Sequence, residues 1–102
     1  MRRPNILFMH VDQMHWDALS GFGNPYVKTP AMDRIAKDGI SFRASYATMP
    51  QCVPARTSWY TGRMSCEHGA PTNGDTCRPD IPDLGQWFRK DGLYNAVYDG
   101  KW

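Results

Sequence analysis

A nearly continuous apolar run at residues 5–11 constrains the fold of this chain more than any other segment. Such a run is typical of a parallel strand that is buried on both faces, and parallel strands need crossover helices that cover the sheet. We therefore predict an α/β fold with a mainly parallel central sheet. The run ends at Asp12 and Gln13. Ligands of open α/β sheets gather at the carboxyl ends of strands, so Asp12 is a candidate site residue.

Helix and strand signals alternate along the rest of the chain. A capping threonine followed by proline predicts a helix from Thr29-Pro30 to about Asp38. The remaining elements predicted from periodicity and turn residues are an extended segment at 40–44, a long loop at 69–82, a helix over 84–91 that ends at Gly92, and a strand at 94–98. No repeat or linker divides residues 1–102, which predicts a single domain. A last strand without a covering helix suggests the N-terminal portion of a larger domain, completed by a C-terminal part.

Composition excludes several classes of function. Hydrophobic residues make up 41% of the chain, but no segment has the roughly 20 apolar residues of a membrane span. A net charge of +2 is too weak to predict nucleic-acid binding. Three cysteines and no visible export signal favour a reduced, cytoplasmic setting. A disulfide between Cys66 and Cys77 stays open as the alternative for an exported protein, whereas the cysteine spacing does not suit zinc.

Cysteine, proline and arginine follow one another at alternate positions from Cys52 to Arg56. Pro54 suits the first turn of a helix, so Cys52 should stand near a helix N-terminus, where free N–H groups and the helix dipole favour an anion. Arg56, four residues later, should share its helix face. A guanidinium beside a nucleophile suits a tetrahedral oxyanion. Gly62 is the expected helix end. A buried cysteine on an ordinary helix is the alternative interpretation.

Residues 52–63 resemble the signature of type I sulfatases. Further segments that resemble this family are 5–13, 28–36, 42–46, 63–69 and 100–102. The resemblance implies the N-terminal part of an alkaline phosphatase-like sandwich, with a mainly parallel central sheet flanked by helices. It covers almost the whole chain.

The resemblance also implies a set of site residues. Cys52 would be oxidised to formylglycine by a formylglycine-generating enzyme. Asp12, Gln13 and the converted Cys52 would ligate a divalent cation, usually Ca²⁺, with Mg²⁺ or Mn²⁺ as alternatives. Arg56 would hold the hydrated aldehyde, and Lys101 would bridge it to the sulfate. Gln13 departs from the second aspartate that is commonest in the family.

The implied reaction is covalent hydrolysis of a small-molecule or carbohydrate sulfate ester, with a hydrated aldehyde as nucleophile. Two alternatives stay open. Asp-Gln also occurs in relatives that hydrolyse choline sulfate or phosphonate monoesters, so a phosphonate or phosphate ester hydrolase is the second interpretation. A non-catalytic or truncated product is the third. His68 precedes Gly69, a position from which it could help to close the site, but the sequence assigns it no chemical role.

Overall fold

The computed structural model describes residues 3–101, so Trp102, the last residue of the segment 100–102 that resembles the family, lies outside the described residues. These described residues contain four α-helices: α1 (Pro30–Asp38), α2 (Cys52–Thr61), α3 (Ser65–His68) and α4 (Leu84–Arg89). Two short 3₁₀ turns accompany them, at Ser20–Phe22 and Lys90–Gly92. None of the helices within residues 3–101 is long and apolar enough to cross a membrane.

The chain divides into two compact units, an N-terminal unit (Met1–Ser45) and a C-terminal unit (Tyr46–Trp102). The single domain expected from the sequence stays a prediction. The N-terminal unit contains α1, which begins at Pro30 directly after Thr29, as predicted. A closed polar network joins α1 to the preceding 3₁₀ turn. In this network the Asp33 carboxylate accepts hydrogen bonds from the Ser20 hydroxyl, the Thr29 hydroxyl and the Gly21 N–H.

The predicted sheet is not formed by the described residues. Residues 3–101 contain no β-strand, so the strands predicted at 5–11 and 94–98 and the extended segment at 40–44 are not confirmed as parts of a sheet. A strand exists through backbone hydrogen bonds to a neighbouring strand, and these segments have no such neighbour in this part of the chain. The apolar side chains of 5–11 are exposed, Leu7 to 81%. The sequence pattern therefore indicates a segment suited to a buried strand, but it does not identify the neighbouring strand with which that segment would pair.

The core of the C-terminal unit lies around α2, which packs against α3 and α4. Five consecutive residues of α2 are buried, from Pro54 to Ser58. Gly62 ends the helix in the left-handed conformation, with φ of 67°, as the sequence predicts. The helix predicted near residue 84 is also confirmed. It begins after Asp83, whose carboxylate accepts the Gln86 N–H at 2.7 Å while the Gln86 side chain accepts the Asp83 N–H at 3.0 Å.

None of the three cysteines, all within the described residues, forms a disulfide in the structure, so the alternative of a disulfide between Cys66 and Cys77 is not realised. Cys66 is exposed and Cys77 is partly buried. Burial raises the pKa of the Cys77 thiol, and the nearby carboxylates of Asp80 and Asp83 act in the same direction. A smaller fraction of Cys77 is therefore in the reactive thiolate form than for an ordinary cysteine.

Candidate active site

Cys52 is the first residue of α2, in the position that Pro54 predicts. The side chain of the preceding residue, Gln51, makes no capping hydrogen bond. Pro54 is buried in the first turn, where it has no N–H to satisfy. Cys52 itself is partly exposed, so its sulfur combines a helix N-terminus with access for a reagent or substrate.

Three side chains of α2 form a row along one face of the helix, since Cys52, Arg56 and Tyr60 follow one another at intervals of four residues. This row faces the segment 98–101, which we call the Lys101 turn. Lys101 Nζ lies 3.8 Å from Cys52 Sγ. Arg56 Nη1 donates a hydrogen bond of 2.8 Å to the Lys101 carbonyl oxygen. The rings of Tyr60 and Tyr98 meet edge to face, with centroids 5.9 Å apart.

Arg56 is almost entirely buried, with 5% of its surface exposed. A buried guanidinium needs hydrogen-bond acceptors, because its desolvation is costly. The Lys101 carbonyl is one such acceptor, and it ties Arg56 to the Lys101 turn. Arg56 therefore has a structural task in addition to the charge that it brings near Cys52.

Tyr60 and Tyr98 complete the row at its far end. The Tyr98 hydroxyl donates a short hydrogen bond to the Lys101 carbonyl, the same oxygen that accepts from Arg56. Burial raises the pKa of Tyr60, and its hydrogen bond with Tyr98 raises it further, while the Arg56 charge acts in the opposite direction. Tyr60 is thus neutral near pH 7, and it acts through packing and hydrogen bonding. The sequence reasoning assigned neither tyrosine to the site.

Asn73 is a third residue that the sequence reasoning missed. Its side-chain oxygen accepts the Val53 N–H at 3.0 Å, which satisfies one of the open donors at the start of α2. An asparagine is a common helix cap, but it normally stands next to the helix that it caps. Asn73 caps α2 from 20 positions further along the chain, within a segment predicted only as a loop. No local pattern in the sequence indicates this contact.

His68 lies fully buried behind α2. Its Nδ1 accepts the backbone N–H of Ala70 at 3.2 Å, so in this arrangement the ring proton belongs on Nε2. Nε2 lies 3.1 Å from the Ser58 hydroxyl, which also accepts from Thr48 at 2.9 Å. These bonds join α2 to α3 and to the segment before α2. The structure gives His68 a structural role.

The other two predicted site residues, Asp12 and Gln13, belong to the N-terminal unit. Both are exposed, and Gln13 has a positive φ of 53°, which is uncommon for a residue other than glycine. No cluster of three or more His, Cys, Asp or Glu side chains that could hold a metal occurs within the described part of the chain. A carboxylate and an amide oxygen are donors that Ca²⁺ accepts, but it takes about six to eight oxygens. The donor types fit such an ion, and two neighbouring donors are only part of its shell.

Among the predicted site residues, the structure thus brings together Cys52, Arg56 and Lys101 within the C-terminal unit. The family model described as Sulfatase matches residues 4–102. The chain belongs to the sulfatase family, as the resemblance in its motifs predicts.

Individual relatives agree with this assignment. The chain is 37% identical to the N-acetylglucosamine-6-O-sulfatase of Bacteroides thetaiotaomicron over 101 residues, which are 99% of the chain and 18% of that protein. It is 33% identical to the uncharacterized sulfatase YidJ of Escherichia coli over 102 residues, 100% of the chain and 20% of that protein. For the human N-acetylgalactosamine-6-sulfatase, identity is 33% over 112 residues, 97% of the chain and 21% of that protein.

The chain therefore spans about a fifth of the length of the curated relatives that it matches. No solved structure matches it. The family implies an alkaline phosphatase-like α/β fold, but the sheet of that fold is not confirmed by residues 3–101.

Proposed function

We propose that this chain is part of a hydrolase of sulfate esters whose nucleophile is a formylglycine derived from Cys52. The observation that carries the proposal is the distance of 3.8 Å between Lys101 Nζ and Cys52 Sγ at the start of α2, in a member of the sulfatase family. The sulfur stands in for the hydroxyl oxygens of a converted and hydrated side chain. An ammonium at this distance would contact those oxygens or a sulfate bound to them.

The converted side chain would supply two hydroxyls, one to attack sulfur with departure of the alcohol, and one whose deprotonation expels sulfate and restores the aldehyde. Around it, Lys101 and Arg56 would place two positive charges where negative charge develops in the transition state. Arg56 is buried, so its charge acts in a medium where electrostatic interactions are stronger than in water. Conversion of Cys52 requires a formylglycine-generating enzyme as a partner.

A divalent cation is part of the proposal. Asp12 and Gln13, with the converted Cys52, would hold it through oxygen donors, which suit Ca²⁺ and also Mg²⁺ or Mn²⁺. When bound, such an ion would polarise the sulfate ester and neutralise part of its charge. The remaining ligands would come from a C-terminal part of the domain, and the chain spans only about a fifth of its relatives' length.

The proposed substrate class is a carbohydrate sulfate ester. The names of several relatives support it, since one acts on an N-acetylglucosamine 6-O-sulfate, one on an N-acetylgalactosamine 6-sulfate and one on ulvan. Gln13 favours a second candidate, a phosphonate or phosphate ester hydrolase with the same nucleophile. An amide in place of a carboxylate lowers the negative charge of the metal shell. Relative turnover of an aryl sulfate and an aryl phosphonate ester separates the two candidates.

The test uses the protein that carries this chain, produced together with a formylglycine-generating enzyme. Mass spectrometry of its tryptic peptide 44–56, which contains Cys52, should find the aldehyde, and sulfate release from aryl and sugar sulfates should depend on it. Cys52→Ala is the control and should be inactive. A retained thiol with full activity would refute the formylglycine. Complete conversion without hydrolysis of any ester would instead favour the non-catalytic interpretation.

A further inference from the structure

The Lys101 turn is held against α2 at three successive levels. At the first level Lys101 Nζ approaches Cys52 Sγ, and at the second Arg56 donates to the Lys101 carbonyl. At the third level the Tyr98 ring packs against Tyr60. The partners on α2 are one helical turn apart, so these contacts together set the register of the turn along the helix.

The Lys101 carbonyl oxygen is the central point of this arrangement, because it accepts hydrogen bonds from both Arg56 and Tyr98. Tyr98 precedes Lys101 by three residues, so its hydroxyl closes the turn on itself. The backbone between them passes through Gly100 at φ of 115°, a conformation that other residues rarely adopt. The turn is therefore defined by one glycine and two donors to one oxygen.

A lysine side chain has four methylene groups and little rigidity of its own. The position of its ammonium depends on where its backbone is fixed and on what the ammonium meets. The two donors to the Lys101 carbonyl fix the backbone, and the edge-to-face contact with Tyr60 orients the Tyr98 ring that carries one of them. Without the Tyr98 hydroxyl, only Arg56 of these two donors would still hold the Lys101 carbonyl. The Lys101 backbone, and with it the ammonium, would then adopt other positions more often.

We infer that Tyr98 is a positioning residue, which places the Lys101 ammonium beside the nucleophile through the Lys101 carbonyl, with Tyr60 as its packing support. The inference rests on the proposed function, because it assigns Tyr98 a part in the same reaction. Tyr98 would act through Lys101, whose carbonyl oxygen accepts its hydrogen bond, and not on the reacting atoms. Tyr98 is 51% exposed, so the effect of its hydroxyl is that of one partly solvated hydrogen bond.

The test compares Tyr98→Phe with Tyr94→Phe in the converted protein that carries this chain. Both substitutions remove one phenolic hydroxyl from the same segment. The Tyr94 ring packs on Phe88 of the 84–89 helix, with centroids 5.3 Å apart, and does not belong to the row on α2. For Tyr98→Phe we expect kcat/KM on a sulfate ester to fall about fivefold to tenfold, mainly through kcat. For Tyr94→Phe we expect a change of less than about twofold.

A double-mutant cycle with Lys101→Ala separates positioning from general stabilisation. If Tyr98 acts through Lys101, Tyr98→Phe changes kcat/KM by less than about twofold once the ammonium is absent. Tyr60→Leu, which removes the supporting ring, should show the same dependence on Lys101. Tm is measured for every variant. If Tyr98→Phe lowers Tm strongly, Tyr60→Leu serves as the second variant that tests the inference.

Three results would overturn the inference. One is an equal kcat/KM for Tyr98→Phe and Tyr94→Phe. Another is a decrease of kcat/KM by Tyr98→Phe that is just as large in the Lys101→Ala background, which would make the role of Tyr98 merely structural. Both leave the proposed function standing, since the parent protein is then active. An inactive parent protein with fully converted Cys52 would overturn the proposed function, and this inference with it.

Discussion

The apolar run at residues 5–11 and the helix α2 differ in how burial relates to polarity. Residues 5–11 are almost all apolar and lie exposed, whereas the most buried residues of α2 include Arg56, Thr57 and Ser58. The polar side chains of α2 have partners from other parts of the chain, such as the Lys101 carbonyl for Arg56 and His68 for Ser58. The apolar run has no neighbouring strand within the described residues. Burial thus follows from the partners that surround a segment as much as from its own polarity.

The strongest test of this comparison removes the buried charge of α2. Arg56→Ala should lower kcat/KM on a sulfate ester about a hundredfold, because both the charge near Cys52 and the anchor of the Lys101 turn are lost. Steady-state kinetics of the converted protein measure the loss. Arg63→Ala is the matched control, since Arg63 is exposed and pairs with Glu67 at 3.5 Å, and it should change activity by less than about twofold. Retention of activity by Arg56→Ala would remove Arg56 from the site.

The second test removes the buried histidine. His68→Ala should lower the free energy of unfolding by about 2–4 kcal/mol, because it leaves a cavity and takes a partner from Ser58 and from the Ala70 N–H. Denaturant unfolding measures the change. His15→Ala is the control, since the His15 side chain is 72% exposed, and it should stay within about 0.5 kcal/mol. Equal effects of the two would show that the polar interior of the C-terminal unit adds little stability.

A smaller effect is expected at the remote cap of α2. Asn73→Ala should lower the free energy of unfolding by about 1 kcal/mol, because the Val53 N–H loses its acceptor. Asn95→Ala is the control at an exposed position of the same unit and should be close to neutral. An Asn73→Ala variant as stable as the parent would mean that solvent replaces this cap without cost.

The smallest effect concerns the polar network of the N-terminal unit. The hydrogen bond from Ser20, followed by those from Gly21 and Thr29, holds the pKa of Asp33 below its ordinary value of 3.8. A lowered folded pKa contributes stability that is present above 3.8 and is lost as pH falls through the lower folded value. Asp33→Asn should therefore flatten the decline of Tm with acid below about pH 4, with Asp38→Asn as the exposed control. An unchanged acid limb would contradict this role.

Three of the four α-helices within residues 3–101, namely α1, α2 and α4, were predicted from the sequence because their signals are local, whereas α3 was not predicted. Thr29-Pro30 begins α1, Pro54 and Gly62 bound α2, and the spacing of apolar residues from Leu84 onward indicates α4, which ends at Arg89, before the predicted end at Gly92. The spacing of Cys52 and Arg56 predicted their shared face in the same way. Family membership was predicted from the motifs, and it is confirmed.

What could not be predicted depends on contacts between residues that are distant in the chain. Asn73 reaches α2 from 20 positions away, and Tyr98 joins the row through an oxygen of the main chain. Neither contact leaves a spacing that a reader of the sequence could recognise. The strands are not confirmed for the same reason, because a strand is defined by a neighbouring strand and the sequence pattern describes only one member of the pair. Asp12 and Gln13 as metal ligands stay predictions.

The oxygen on which the Lys101 turn is anchored belongs to the main chain, and every amino acid carries such an atom. Substitution of the side chain at position 101 should therefore leave the backbone of the Lys101 turn anchored while the group beside Cys52 changes. Variants such as Lys101→Arg, Lys101→His and Lys101→Met would compare charge, reach and proton affinity at one fixed location. Few sites allow chemistry to be varied so independently of geometry.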